Sequence, residues 1–279
     1  MTKPVVVGIA GAKEPTVLTY AVEEARSTGS VLRVVHSVAA SPQVADYYVG
    51  TEMLEDLRAE GQAVLDEARD LVERDSPDVV AEYVLDTKPP ATALTVLGAD
   101  ARVVVVGSDD VPWFDRLVRG RIAGHVALHA DCPVVVVPTR SVTASHDGSV
   151  VLTLDGETSA EGPIRYAFEQ AVQRETPVVV LHAALPGTLV EDNQSAVANI
   201  SEVLAGWSAE YPGTKVVTTF IEGDPLEAVL HATETAGLVV VGRPHSNLAL
   251  VGVARPLATL VMRHAHSPLA VVPAAYDGA

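Results

Sequence analysis

The 279-residue sequence holds one cysteine, Cys132, which excludes an intrachain disulfide and denies a thiolate metal cluster its ligands. That scarcity suits a reducing compartment and points to the cytoplasm. Aromatic residues are only 4% of a chain that is 48% hydrophobic, so the cores are expected to be built from valine, alanine and leucine rather than rings. Such a bias suits parallel sheets covered by helices. Basic residues are also few. The 19 Lys and Arg stand against 36 Asp and Glu, and the resulting charge of −17 repels nucleic-acid backbones and anionic lipid. A small phosphate ligand remains compatible with that field, because local backbone N–H groups can hold it. No apolar run has the length needed to cross a bilayer. Val5–Ala12 is short and runs straight into Lys13 and Glu14, the pattern of a first strand rather than a signal peptide. Enzyme signatures are missing as well: the chain has no GxxxxGKS/T loop, no GxGxxG in a first strand–turn–helix, no HExxH and no GxSxG.

What is present is a duplication. Arg102–Pro138, RVVVVGSDDVPWFDRLVRGRIAGHVALHADCPVVVVP, reads as a buried strand, a glycine-punctuated loop, a helix and a second buried strand. The unit returns at Leu238–Pro273, with Gly107, His129, Pro133 and Pro138 each repeated 135 residues later. Earlier landmarks are offset by more, Gly11 to Gly156 by 145 and His36 to His182 by 146, so about ten extra residues sit in the first repeat. Ser41–Gly50 is the simplest place for them.

In chain order the first repeat reads strand Val5–Ile9, helix Thr16–Ser27, strand Val31–Val38, helix Glu52–Arg74, strand Val79–Leu85, helix Ala91–Leu97 and then the unit above. The second reads strand Val150–Leu154, helix Gly162–Arg174, strand Val178–Ala184, helix Gln194–Tyr211, strand Lys215–Ile221, helix Leu226–Ala236 and the returning unit. Alternation of this kind with right-handed crossovers makes an α/β fold, an open parallel sheet with helices on both faces, in each half. The expected domains are residues 1–140 and 149–279, joined by the polar linker 141–148.

Several short features admit two readings each. Gly107 and Gly120 are either remnants of a phosphate cradle or turn and helix-entry glycines. Asp155 either accepts from a ligand or caps its own Asp-Gly turn. Arg116, Arg119 and Arg121 either hold a phosphate or pair with Asp109, Asp110 and Asp115 in the same loop. Trp113 and Phe114 either contact a ligand or partner or fold back under the helix. His129 and Cys132 are read as structural rather than as a metal pair or an activated thiol, since two donors do not make a ligand set.

The stretches LTLDGETS, VVVLHAAL, EGDPLEAVL and LVVVG followed by RHAHSPLAVVP, with ARVVVVGS and LVRGRIAGHVALHADCPVVVVP in the first half, resemble universal stress protein domains in tandem. The resemblance implies a five-stranded Rossmann-like parallel sheet per domain, in order 3-2-1-4-5. It also implies an intramolecular pseudo-dimer in which the last strands, Val134–Val137 and Leu269–Val272, lie near a pseudo-twofold axis. A homodimer and an unidentified protein partner are further options. In many members of the family ATP is bound at the strand carboxyl ends without strong catalysis. ATP-binding members carry an Asp after strand one, then G-x2-G-x9-G-S/T after strand four. Here Ala10 takes the place of that Asp in the first repeat, where Gly107, Ser108 and Gly120 stand but Asp110 and Arg121 replace the middle glycine and the hydroxyl residue. The second repeat keeps Asp155 and Gly242, while His245 replaces the middle glycine and Arg255-Pro256 the Gly-Ser pair. The expected ligand set is therefore Gly107, Ser108, Gly120, Arg121, Asp155 and Gly242, with no catalytic residue and no metal. The expected function is a non-catalytic sensor or scaffold with degenerate ATP sites. An ATP binder using variant loops and a weak ATP hydrolase with Asp109 and Asp110 are the alternatives. An ATP pyrophosphatase turn, SGGxDS, would fall at Gly8–Glu14, which reads GIAGAKE.

Overall fold

The computed structural model describes residues 2–11, 15–38, 51–108, 122–138, 148–156, 161–187, 190–243 and 257–278. The Ser41–Gly50 insertion and positions 141–147 of the linker lie outside them. The chain divides into two compact units, Met1–Thr139 and Arg140–Gly278.

The first unit runs β1 (Val5–Gly8), α1 (Pro15–Thr28), β2 (Leu32–Ser37), α2 (Thr51–Asp75), β3 (Ala81–Asp86), α3 (Pro90–Gly98), β4 (Val103–Gly107), α4 (Ile122–His129) and β5 (Val134–Val137). Every strand pair in it is parallel, in the order β3-β2-β1-β4-β5. The second unit runs β6 (Val150–Thr153), α5 (Glu161–Arg174), β7 (Val178–Ala184), α6 (Val190–Glu210), β8 (Val216–Glu222), α7 (Pro225–Ala232), β9 (Leu238–Gly242), α8 (Leu257–His264) and β10 (Leu269–Val272). Its pairs are again parallel and the order is β8-β7-β6-β9-β10. The expected α/β class and the 3-2-1-4-5 order hold in both halves.

The valine runs become the middle of each sheet because β-branched side chains pack well on a pleat faced by helices. Val5, Val6, Val7, Val103, Val104 and Val105 are completely buried, as are Val150, Leu152, Leu238, Val239 and Val240. Each such burial contributes about 1.5–3 kcal/mol before entropy is counted. The duplication reaches the helices: Tyr20 and Glu24 of α1 return as Tyr166 and Gln170 of α5, all four buried.

Helix ends follow local chemistry. Helix α1 closes on Gly29 in the left-handed region at φ 61°, with the Ser30 N–H donating to Ala25 O at 2.9 Å. At the equivalent end of α5 the left-handed position is held by Glu175 at φ 54°, and Thr176 N–H donates to Ala171 O at 3.0 Å. Helix α7 begins with Pro225 behind Asp224, whose carboxylate accepts from the Leu226 N–H at 2.7 Å and more loosely from Glu227. Asp224 of the EGDPLEAVL stretch is thus a helix cap.

Two expectations need correction. The helix predicted over Leu226–Ala236 stops at Ala232, because Thr233 turns its hydroxyl onto Leu230 O at 2.7 Å and also accepts from the His266 N–H at 3.1 Å. A tertiary contact ends a helix that the sequence would continue. The second unit also has an aromatic core that the low ring content did not suggest. Phe168 is fully buried, with its ring centroid 5.3 Å from Tyr211 and 6.0 Å from Trp207.

Candidate functional site

In each unit the strand order reverses between the first and fourth strands, β1/β4 and β6/β9. An open parallel sheet leaves a crevice at that point, outside the strand carboxyl ends. In the first unit β1 ends at Gly8 and continues to Ile9 and Ala10, while the adjacent β4 ends at Gly107 and continues to Ser108. In the second, β6 leads to Asp155 and Gly156, and the adjacent β9 ends at Gly242. Ala10 therefore shares a crevice edge with Gly107 and Ser108, and Asp155 shares the matching edge with Gly242. Gly120, Arg121, Asp109, Asp110, Asp115, Arg116, Arg119, Trp113 and Phe114 lie outside the described residues. So do His245, Arg255 and Pro256.

At the start of each loop the backbone donor is already engaged in the sheet. Ser108 N–H donates to Val137 O at 2.7 Å, and the equivalent Arg243 N–H donates to Val272 O at 2.8 Å. Backbone donors for a phosphate must then come from later in each loop.

Asp155 is exposed at the crevice edge. The glycine after it has a packing reason of its own. Gly156 lies at φ 79°, and a Cβ there would come within 2.5 Å of the Ala196 Cβ on α6. Asn199 of α6 donates to Gly156 O at 3.2 Å. The turn is thereby clamped beneath α6, with the exposed Asp155 just before it. Gly242 is different, since among the described residues a Cβ there would meet only Pro163 Cγ at 3.5 Å, an ordinary contact.

Both crevices share a pair of residues used above only as repeat markers. His36 Nδ1 lies 2.9 Å from Ile9 O, and His182 Nδ1 lies 2.9 Å from Leu154 O. Each imidazole bonds the carbonyl just past the first strand, anchoring the start of the turn that carries Ala10 or Asp155. Acceptance by a carbonyl fixes the proton on Nδ1 in both rings. The signal available in the sequence was the shared LH/VH pattern at the second strand of each repeat. Long helix α2 approaches His36 through Gly61, where a Cβ would lie 3.2 Å from the imidazole Cδ2 and inside contact with Val38.

His129 and Cys132 behave as structural residues. The His129 Nδ1 is 2.8 Å from His125 O, and the two rings stack at 4.2 Å. Burial pushes the Cys132 thiol up to about 12, so it is no nucleophile at neutral pH. Among the described residues no group of three or more His, Cys, Asp or Glu could hold a metal ion. A surface groove of about 660 Å³ runs between α5 and α6, lined by Glu161, Arg165, Glu202, Trp207 and Glu210. Arg165 lies over the Trp207 ring at 4.8 Å and pairs with Glu210 at 3.3 Å. With its cation engaged and three carboxylates around it, this groove does not suit a phosphate.

A model of the universal stress protein family matches residues 1–138. A universal stress protein of Mycobacterium tuberculosis is 30% identical over 272 residues, covering 95% of this chain and 97% of its own length. The chain belongs to the universal stress protein family. A second M. tuberculosis universal stress protein is 29% identical over 245 residues, with 80% of each chain covered. The crystal structure of a universal stress protein from Archaeoglobus fulgidus superposes with a TM-score of 0.75 at 16% identity, covering 96% of this chain and 95% of that one. That likeness extends the family fold over both units. No helix among the described residues is long and apolar enough to cross a membrane.

Proposed function

We propose that this universal stress protein is a non-catalytic cytoplasmic sensor or scaffold whose ligand class is the adenine nucleotide, ATP foremost, held through degenerate sites. The observation that carries the reading is how the site parts are divided between the units. The first unit has Gly107 at the end of β4 and Ser108 after it, beside Ala10, a methyl where ATP-binding family members place an acceptor for adenine. The second has an exposed Asp155 beside Gly242, but its loop contains His245, Arg255 and Pro256, and Pro256 lacks a donor N–H. Neither unit combines an adenine acceptor with a full set of phosphate donors. Gly107, Ser108, Gly120 and Arg121 make the first unit the better triphosphate site, with Arg121 supplying a charge-assisted contact. Asp155 and Gly242 make the second a weak site for an adenosine-like head.

The test uses the full chain. Nucleotide released by heat is identified by chromatography and ultraviolet absorbance, and the stripped protein is titrated calorimetrically with ATP and with adenosine. ATP binding is expected to weaken roughly tenfold in Arg121→Ala, and adenosine binding to weaken in Asp155→Ala. ATP binding insensitive to Arg121→Ala but lost in Asp155→Ala would reverse the ranking. Strong ATP binding lost in both Gly107→Val and Arg121→Ala would favour the second reading, an ATP binder with variant loops.

A further inference from the structure

Of the nine histidines in the sequence, His125 and His129 alone are spaced four apart. That spacing sets two side chains side by side on one helix face. It is the pairing that an HExxH helix offers to a metal ion, although here no glutamate stands between the two. Both histidines belong to α4. Ala123, Val126 and Ala127 of that helix are buried, while His125 and His129 are exposed. Their rings stand 4.2 Å apart between centroids and 22° from parallel. In sequence His129 is close to Cys132, whose buried thiol stays protonated at neutral pH. In the structure its ring neighbour is His125. The second unit has no such pair, because Leu260 takes the place of His125 beside His264.

We propose that His125 and His129 chelate a divalent transition-metal ion of the Cu²⁺ or Ni²⁺ class, with water in the remaining coordination positions. A carbonyl can only accept, so the 2.8 Å contact of His129 Nδ1 with His125 O puts the ring proton on Nδ1 and the lone pair on Nε2. Metal-bound histidines commonly have this support, the second ring nitrogen donating to a carbonyl or carboxylate. Here the supporting carbonyl belongs to the residue that supplies the other imidazole. The His129 ring is thus oriented before any ion arrives.

Ring separation selects the metal class. A metal–nitrogen bond of about 2.1 Å places a ring centroid about 3.2 Å from the ion. Two rings at the tetrahedral angle would then stand about 5.2 Å apart, and two in neighbouring positions of a square or octahedron about 4.5 Å. The observed 4.2 Å is nearer the second, which suits Cu²⁺ and Ni²⁺. A closed structural zinc site takes four protein donors. Among the described residues no third His, Cys, Asp or Glu joins this pair. An open site on Cu²⁺ needs only the two imidazoles. The net charge of −17 favours a cation at the surface.

Calorimetric titration of the full chain with copper(II) sulfate tests the site, with electron paramagnetic resonance of the bound ion. One equivalent should bind with a dissociation constant on the order of 10 µM, and its spectrum should show coupling to two imidazole nitrogens. His125→Ala and His129→Ala should each weaken binding at least about tenfold, because the second donor acts at high effective concentration. The circular dichroism spectrum should not change, since both side chains are exposed. His231→Ala and His264→Ala, at other exposed histidines, should leave binding as it was. Ni²⁺ should bind the same pair more weakly than Cu²⁺. Copper binding that neither substitution at the pair weakens would mean an adventitious ion only and would overturn the site. So would a loss confined to one of the two variants, or a spectrum that shows a single nitrogen.

Discussion

Gly162→Ala is expected to destabilise the second unit by about 3 kcal/mol, at the upper end of overpacking costs. Gly162 opens α5 where that helix crosses the C-terminal stretch of the chain, and its N–H donates to Ala274 O at 3.3 Å. A Cβ there would fall inside contact with Pro273 O, 2.9 Å from Ala274 O and 3.0 Å from Tyr276 N. All three are backbone atoms, which cannot swing aside as a side-chain tip can. The helix would have to lift, drawing Tyr276 from its 2.7 Å hydrogen bond to Glu169 and from its edge contact with Tyr166. Chemical denaturation followed by far-ultraviolet circular dichroism checks this. Gly242→Ala serves as the control, since among the described residues its Cβ meets nothing closer than 3.5 Å. Equal midpoints for the two variants would show that the helix does not approach the C-terminal stretch this closely.

Phe168→Ala is expected to cost about 3–5 kcal/mol, the range for removing a buried ring. Phe168 has no exposed surface and sits at the centre of the cluster formed with Trp207 and Tyr211. Its loss opens a cavity between α5 and α6 and frees Trp207, against which Arg165 stacks. Phe168→Leu keeps most of the volume and should cost roughly half as much. Urea titration read through tryptophan fluorescence distinguishes them. Equal and small losses for both would mean that the rings contribute little beyond what the aliphatic core supplies.

The sheets were legible because their residues are. Four consecutive valines at Val103–Val106 and again at Val134–Val137 have no comfortable place but a covered parallel strand. The repeat at a constant spacing of 135 then assigned the matching strands of the second half. Local readings of helix ends came within one residue at Thr16, Ala91 and Leu226, each just behind the proline that opens the helix. They failed at Thr233, whose helix-ending contact comes from His266, 33 residues away. The Gly162 approach to Pro273 and the Phe168 cluster with Trp207 were hidden for the same reason. A glycine or a ring in sequence does not say which distant backbone or side chain it will meet. At the crevices, Asp155 and Gly242 could be placed by comparing the chain with itself. The histidines beneath them could be aligned, but their bonds to Ile9 and Leu154 needed coordinates. That the Ser108 N–H belongs to β5 likewise follows from strand register, which no motif encodes.

The proposed binding of ATP without its consumption has a direct experimental consequence. Its most direct measurement is phosphate release from ATP and Mg²⁺ by the purified full chain, followed over many equivalents. No release above the protein-free control is expected. Sustained turnover approaching about one per second, abolished by Asp109→Ala or Asp110→Ala, would contradict it and make the chain an ATP hydrolase.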